Sequence, residues 1–201
     1  MHSVLRRTPF ALACAAALVG ACSKSDKAAD SARVGDSTAV AATATSAVTP
    51  AAPTLTDPNI VAILDAANAA DSATGAVAAA RGTSADVKSF GRDMMRDHHA
   101  LRVAGQDLAK KLNVTPQPPA GDTTLAANKT WNDSLTAMPR GAAWDKAYID
   151  KEVTVHEQVL NTAQTALGAA QNAELKALIQ KAAPNIQAHL EHAKQIQSKL
   201  K

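Results

Sequence analysis

A chain of 201 residues that is 46% hydrophobic, 19% charged and only 2% aromatic has room for one domain or two small ones, with little bulky material for a core. Its aromatics are Phe10, Phe90, Trp131, Trp144 and Tyr148, and alanine dominates elsewhere, which excludes a large β-sandwich and points to helix or unstructured chain. The 21 Lys and Arg against 18 Asp and Glu give a formal charge of +3, yet Arg6 and Arg7 fall in a segment expected to be removed; without a clustered basic face or stacking aromatics, nucleic acid is not an expected partner.

Behind Arg6 and Arg7 comes an apolar run from Pro9 to Ala21, ending in small residues just before Cys22. As a helix it would rise about 20 Å, and a bilayer core needs roughly 20 residues, so residues 1–21 read as a secretory signal and not as a membrane span. The run Leu18-Val19-Gly20-Ala21-Cys22 resembles the lipobox of bacterial lipoproteins. That resemblance implies cleavage before Cys22, acylation of its thiol and amine, and, with Ser23 in place of Asp, attachment to the outer membrane facing the periplasm. Cys14 is discarded with the signal, so no disulfide is expected. After Cys22, residues up to 56 are mostly Ser, Thr, Ala, Asp and Lys with Pro50 and Pro53, and lack a repeating apolar face; residues 22–56 read as a disordered tether.

Residues 57–201 carry four long helical patterns. Asp57 as N-cap and Pro58 at the first helical position open the first, in which Ile60, Leu64, Ala67, Asp71, Thr74 and Ala78 recur at spacings of four and three, to about Arg81. Gly82 breaks it, and Thr83 with Asp86 forms an acidic capping box for a second helix striped by Val87, Met94, His98, Leu101, Gly105, Leu108 and Leu112. A connection with Pro116, Pro118, Pro119 and Gly121 follows, holding a weaker helical segment from about Asp122 to Ala137. The third long helix starts near Ala142 and repeats Ile149, Val153, His156, Leu160, Ala163 and Leu167. The last carries Leu175, Ile179, Ala182, Ile186, His189, Ala193, Ile196 and Leu200, with a kink expected at Pro184. Two tight hairpins joined by one long crossover between the second and third long helices predict an all-α, ferritin-like four-helix bundle with a short extra helix in the crossover.

Each long helix puts one ionisable residue on its apolar stripe: Asp71, His98, His156 and His189. All lie about 13 to 16 residues into their helices, within roughly a turn of one level, so they can meet in one layer. Imidazole with carboxylate is a ligand set for zinc, iron, manganese or copper, and a bundle interior is where such sites occur. Asp97 and Glu152 are candidate supporting residues around that set, Glu152 one turn before His156. Neutral imidazoles are required, so affinity is expected to fall below about pH 6.5. The competing reading is a metal-free hydrogen-bond network of the same histidines and carboxylates. His99 and His192 fall off the stripe and are expected at the surface, whereas Trp144 and Tyr148 read as core anchors.

The segments Val87-Lys88-Ser89-Phe90, Met94-Met95-Arg96-Asp97-His98, Trp144-Asp145-Lys146-Ala147-Tyr148, His156-Glu157, Glu174-Leu175-Lys176 and Pro184 through His189-Leu190 stand in an order and spacing similar to those of domain-of-unknown-function family 4142, bacterial envelope proteins regarded as ferritin-like. The resemblance spans about Asp57 to Lys201. It implies functional positions at Asp97-His98, His156 and His189, with Asp71 where the family usually has Glu. Di-iron chemistry does not follow, because none of His98, His156 and His189 has Glu three residues before it. The sequence therefore predicts a lipid-anchored helical module that binds one transition metal for sequestration or envelope stress protection. Its alternative is a non-enzymatic envelope module that docks a protein partner and keeps its histidines metal-free. No Ser or Cys nucleophile stands in a suitable turn, so the reading leans away from an enzyme.

Overall fold

A computed structural model of the chain describes residues 55–200. The segments expected to be the signal and the tether, with Cys22, lie outside the described residues up to residue 54. Within them the chain is all-helical: α1 (Asp57–Arg81), α2 (Ala85–Lys111), α3 (Thr124–Ala137), α4 (Ala142–Ala169) and α5 (Ala173–Lys199). The four long helices contact one another in a closed ring, α1 on α2, α2 on α5, α5 on α4 and α4 on α1, while α3 lies against α1. None of the described helices is long and apolar enough to cross a membrane.

Helix boundaries fall within a few residues of those the periodicity predicts, but two caps differ. Thr56, not Asp57, is the N-cap of α1: its hydroxyl accepts from the Asn59 N–H, and Asn59 Oδ1 accepts from the Thr56 N–H. Asp57 instead uses its carboxylate on the α4–α5 turn, accepting the backbone N–H groups of Gln171 and Asn172 at 2.8 and 3.0 Å. The Thr83–Asp86 box does not form either. The α2 entry is held by Asp145 of α4, whose buried carboxylate accepts from the Thr83 N–H (2.9 Å), the Thr83 hydroxyl (2.7 Å) and the Ser84 N–H (2.7 Å), while Asp86 pairs with Lys199. At the α2 entry a carboxylate from a distant helix supplies what a local side chain was expected to supply, whereas at α1 the local Thr56 takes the cap and frees Asp57 for the α4–α5 turn. The last helix, α5, is capped by Asn172 and runs unbroken through Pro184.

Two apolar clusters fill the interior. One joins Phe90, Met94, Leu135, Trp144, Tyr148, Ile149 and Ile196; the other joins Ile60, Val61, Ala163, Leu175 and Ile179. Trp144 stacks on Tyr148 at 5.8 Å between ring centroids and donates its indole N–H to the Leu135 carbonyl at 2.8 Å, so both anchors sit in the core as their sequence pattern predicts. Apart from Asp145 at the α2 entry, the buried polar residues of each long helix lie between the members of these two clusters: Asp71 and Thr74 on α1, His98 on α2, Glu152 and His156 on α4, His189 on α5. A polar layer thus crosses the middle of an otherwise apolar interior.

Two further expectations shift. Leu101, Gly105, Leu108 and Leu112 are only half-buried, and Ala109 is the buried residue of the C-terminal half of α2. His99 is exposed as expected, but His192 is half-buried, set edge-on against Phe90 at 5.4 Å.

Candidate metal centre

His98, His156 and His189 come from three different helices and converge: one ring nitrogen from each lies within 4.8 Å of the others, and the ring centroids are 5.3 to 5.7 Å apart. All three are buried. Each is also held by its other nitrogen. His156 Nδ1 is 2.9 Å from the Glu152 carbonyl oxygen, one turn back on α4. A carbonyl can only accept, so Nδ1 carries the proton. His98 Nδ1 is 2.9 Å from Asn68 Oδ1, and the orientation of that amide is settled by its NH2 group donating to the Leu64 carbonyl at 2.8 Å. His189 Nε2 donates to Asp97 Oδ2 at 3.1 Å. Asp97 is in turn gripped through both oxygens by Arg96, at 2.8 and 3.0 Å, which holds its carboxyl below the usual carboxylate range with help from His189.

What remains is His98 Nε2, His156 Nε2 and His189 Nδ1, and all three are buried without a hydrogen-bond partner. Buried polar atoms are rarely left so, and each orphan normally has a cause. Here the tautomers assigned by the outer hydrogen bonds turn three lone pairs to the cluster. This is the arrangement in which an imidazole ligates a metal through one nitrogen and donates its other N–H to a carbonyl or carboxylate.

Electrostatics keep the rings neutral. Burial, followed by the neighbouring imidazoles, pushes His98 down to about 3, and burial pushes His156 down to about 4; His189 is lowered for the same reason, against the pull of Asp97. Neutral imidazole is therefore available well below pH 6.5, where the sequence had placed its limit.

The expected carboxylates distribute differently. Asp97 supports His189, and Glu152 supports His156 through its main chain. Asp71 is not a member of the three-residue group: its Oδ2 lies 3.5 Å from His98 Nδ1, the nitrogen already engaged by Asn68. Asp71 and Glu152 form a second buried station. Burial raises Asp71 to about 7, against the pull of Lys151, and raises Glu152 well above its ordinary value, with the Asp71 charge adding to the effect. The Thr74 hydroxyl lies 3.4 Å from Glu152 Oε1, while Glu152 Oε2 sits 3.5 Å from His156 Nδ1 without a hydrogen-bond donor of its own. The Tyr148 phenol, raised well above 10 by burial and by the neighbouring Glu152 and Asp71 carboxyls, completes this station.

Asn68 and Arg96 were missed in the sequence. Asn68 had a signal: it lies three residues before Asp71, so it shares that helical face in an alanine-rich segment where an amide needs a reason. Arg96 adjoins Asp97 in sequence and resembles any solvated charge.

A helical protein with three imidazole lone pairs converging in its interior falls in the class of candidate metal-binding helical proteins. A family model described as "Domain of unknown function (DUF4142)" matches residues 41–196, and the chain belongs to that family. No curated protein and no solved structure matches it significantly.

Proposed function

We propose that this chain is a lipid-anchored envelope protein, held at the outer membrane through acylated Cys22, whose ferritin-like four-helix bundle binds one transition metal ion at His98, His156 and His189. The observation that carries the reading is the set of three unpartnered ring nitrogens, each left free by a hydrogen bond on the opposite side of its ring. Imidazole ligands suit zinc and copper, and accept iron; manganese prefers more oxygen. Three protein nitrogens leave a fourth position for water or another small ligand. Asp97 orients His189, Asn68 orients His98, and the Glu152 carbonyl orients His156. The role is to hold an ion, for sequestration or for protection of the envelope under metal stress.

Elemental analysis of the protein, purified without chelator or affinity tag, beside the His98/His156/His189 triple-alanine variant tests it. Near-stoichiometric metal that is lost in the variant is the expected result. Absence of metal even after zinc, copper, iron and manganese are offered would leave the histidines as a metal-free network and the protein as an interaction module. The anchor is tested separately: Cys22→Ser should move the protein from the membrane fraction to the soluble one.

A further inference from the structure

Asp71 and Glu152 stand apart from the three-histidine seat. Their approaches to the histidines, 3.5 Å each, are to His98 Nδ1 and His156 Nδ1, the nitrogens turned away from the cluster and already engaged by Asn68 and the Glu152 carbonyl. What gathers around the two acids is oxygen. Thr74, one turn along α1 from Asp71, donates its hydroxyl to the Ala70 carbonyl at 3.1 Å and lies 3.4 Å from Glu152 Oε1. Tyr148, one turn before Glu152 on α4, feels the charge of both carboxyls, yet its hydroxyl is fully buried without a hydrogen-bond partner, and Glu152 Oε2 is in the same condition. Four oxygen-bearing side chains, two from α1 and two from α4, thus share one buried place, and two of their oxygens are unsatisfied. Among the described residues the ion-pair contacts of the two acids are with histidines alone, while Lys151 sets its ammonium against the Trp131 ring, 5.8 Å from its centre. A carboxylate out of water keeps its charge only beside a cation. Space for one to arrive is present: a cleft of about 620 Å³ between α1, α4 and the segment that leads into α3 is lined by Asp71, Thr74 and Glu152.

We propose that Asp71 and Glu152, with the Thr74 and Tyr148 hydroxyls, form a second cation seat, built from oxygen alone, which takes a hard divalent ion of the manganese, magnesium or calcium class from this cleft. Carboxylate, hydroxyl and water suit such ions, whereas imidazole suits zinc and copper, so the polar layer would hold two kinds of metal in two places. Hard ions retain water among their ligands, and the cleft leaves room for it. Lys151 lines the same cleft and acts against the ion by like charge. The inference does not depend on the three-histidine reading, since none of its ligands is a histidine.

The test is titration of the purified protein with Mn²⁺, whose sharp free-ion electron paramagnetic resonance signal broadens on binding, in the metal-free form and after one equivalent of zinc. One Mn²⁺ per chain is expected in both forms and in the His98/His156/His189 triple-alanine variant, and excess Mg²⁺ or Ca²⁺ should displace it. Asp71→Asn/Glu152→Gln, nearly isosteric with the original pair, should lose the ion; Asp107→Asn, at an exposed position on α2, should keep it. Lys151→Gln should lower the Kd for Mn²⁺ several-fold, a gain that a misfolded chain does not give. Absence of bound Mn²⁺ in the unaltered protein, or equal binding by the double carboxylate variant, would overturn the seat and leave the two acids neutralised by protons. Loss of Mn²⁺ in the triple-alanine variant or after zinc, with the double carboxylate variant unaffected, would place the ion on the histidines and overturn it as well. Failure of zinc to bind would count against the three-histidine reading alone, because Mn²⁺ retained in the triple-alanine variant and lost in the carboxylate variant still supports the oxygen seat.

Discussion

Asn68 decides which nitrogen of His98 carries the proton. Its Oδ1 can only accept, so removal of the amide leaves Nδ1–H buried and unpaired and lets the ring exchange tautomers. Partners of this kind are worth about 10- to 100-fold in metal affinity. Asn68→Ala should weaken zinc binding by that factor without changing the stoichiometry, measured by competition with a chelating dye. His156→Ala should abolish binding, whereas His99→Ala, at an exposed position, should leave it unchanged.

The buried ionisable residues also set how the metal-free protein responds to pH. His98 and His156 titrate at about 3 and 4 when folded, against an ordinary 6.5, so the unfolded chain binds protons that the folded one refuses. Their contribution to stability is complete above pH 6.5 and is lost as pH falls towards 4, with a limiting slope of about 1.4 kcal/mol per pH unit for each ring. Asp71 acts in reverse. Its folded value is about 7 against 3.8, so its contribution is present below 3.8 and is lost as pH rises to 7, and Glu152 has the same sign. Between pH 4.5 and 6.5 the two effects oppose each other, so the melting temperature should change little there and decline as pH rises above 6.5, where the histidines no longer offset the acids. In Asp71→Asn/Glu152→Gln the opposing slope is removed, and melting curves should then show stability falling steadily on acidification below 6.5. A variant that stays flat would mean that the histidines are not held neutral.

At the scale of the helix, α1 and α2 meet at Gly75 and Gly91. A Cβ on Gly75 would lie 2.7 Å from the Gly91 carbonyl oxygen and 2.8 Å from Met94 Cβ, so no flexible side-chain end can yield to it. Gly75→Ala gains roughly 0.5–1 kcal/mol of helix propensity, but overpacking costs about 1–3 kcal/mol. Backbone contact makes the second term win. Urea unfolding should show a net loss of about 1–2 kcal/mol. The close crossing also bears on the relative height of Asp71 and His98, which sit about one turn from Gly75 and about two turns from Gly91 on the same two helices. Helix lengths were readable from periods of three and four with Gly and Pro as punctuation, since those signals act over a few residues. The caps were not, because Asp145 reaches Thr83 and Asp57 reaches Gln171 from helices distant in sequence.

At the scale of the whole molecule, a polar layer separates two apolar clusters and leaves the interior with three imidazole lone pairs that no protein group satisfies. An ion that binds only the folded state should stabilise it by about 2.7 kcal/mol at 100 times its dissociation constant. Excess zinc should therefore raise the melting temperature of the protein and leave that of the triple-alanine variant unmoved.

Much of this was set by the chain alone. Helix number and length, the level at which the histidines stand and the choice of His98, His156 and His189 follow from local periodicity, because an apolar stripe with one imidazole on each of α2, α4 and α5 constrains which faces can meet. The assignment of the acids did not follow. Asp71 and Glu152 lie on the same stripes, yet which nitrogen of each ring is occupied, and by whom, depends on an Asn68 amide from α1 and an Asp97 carboxylate from α2 arriving within 2.9 and 3.1 Å. Hydrogen bonds are decided over tenths of an ångström, and only packing of the helices sets distances that finely.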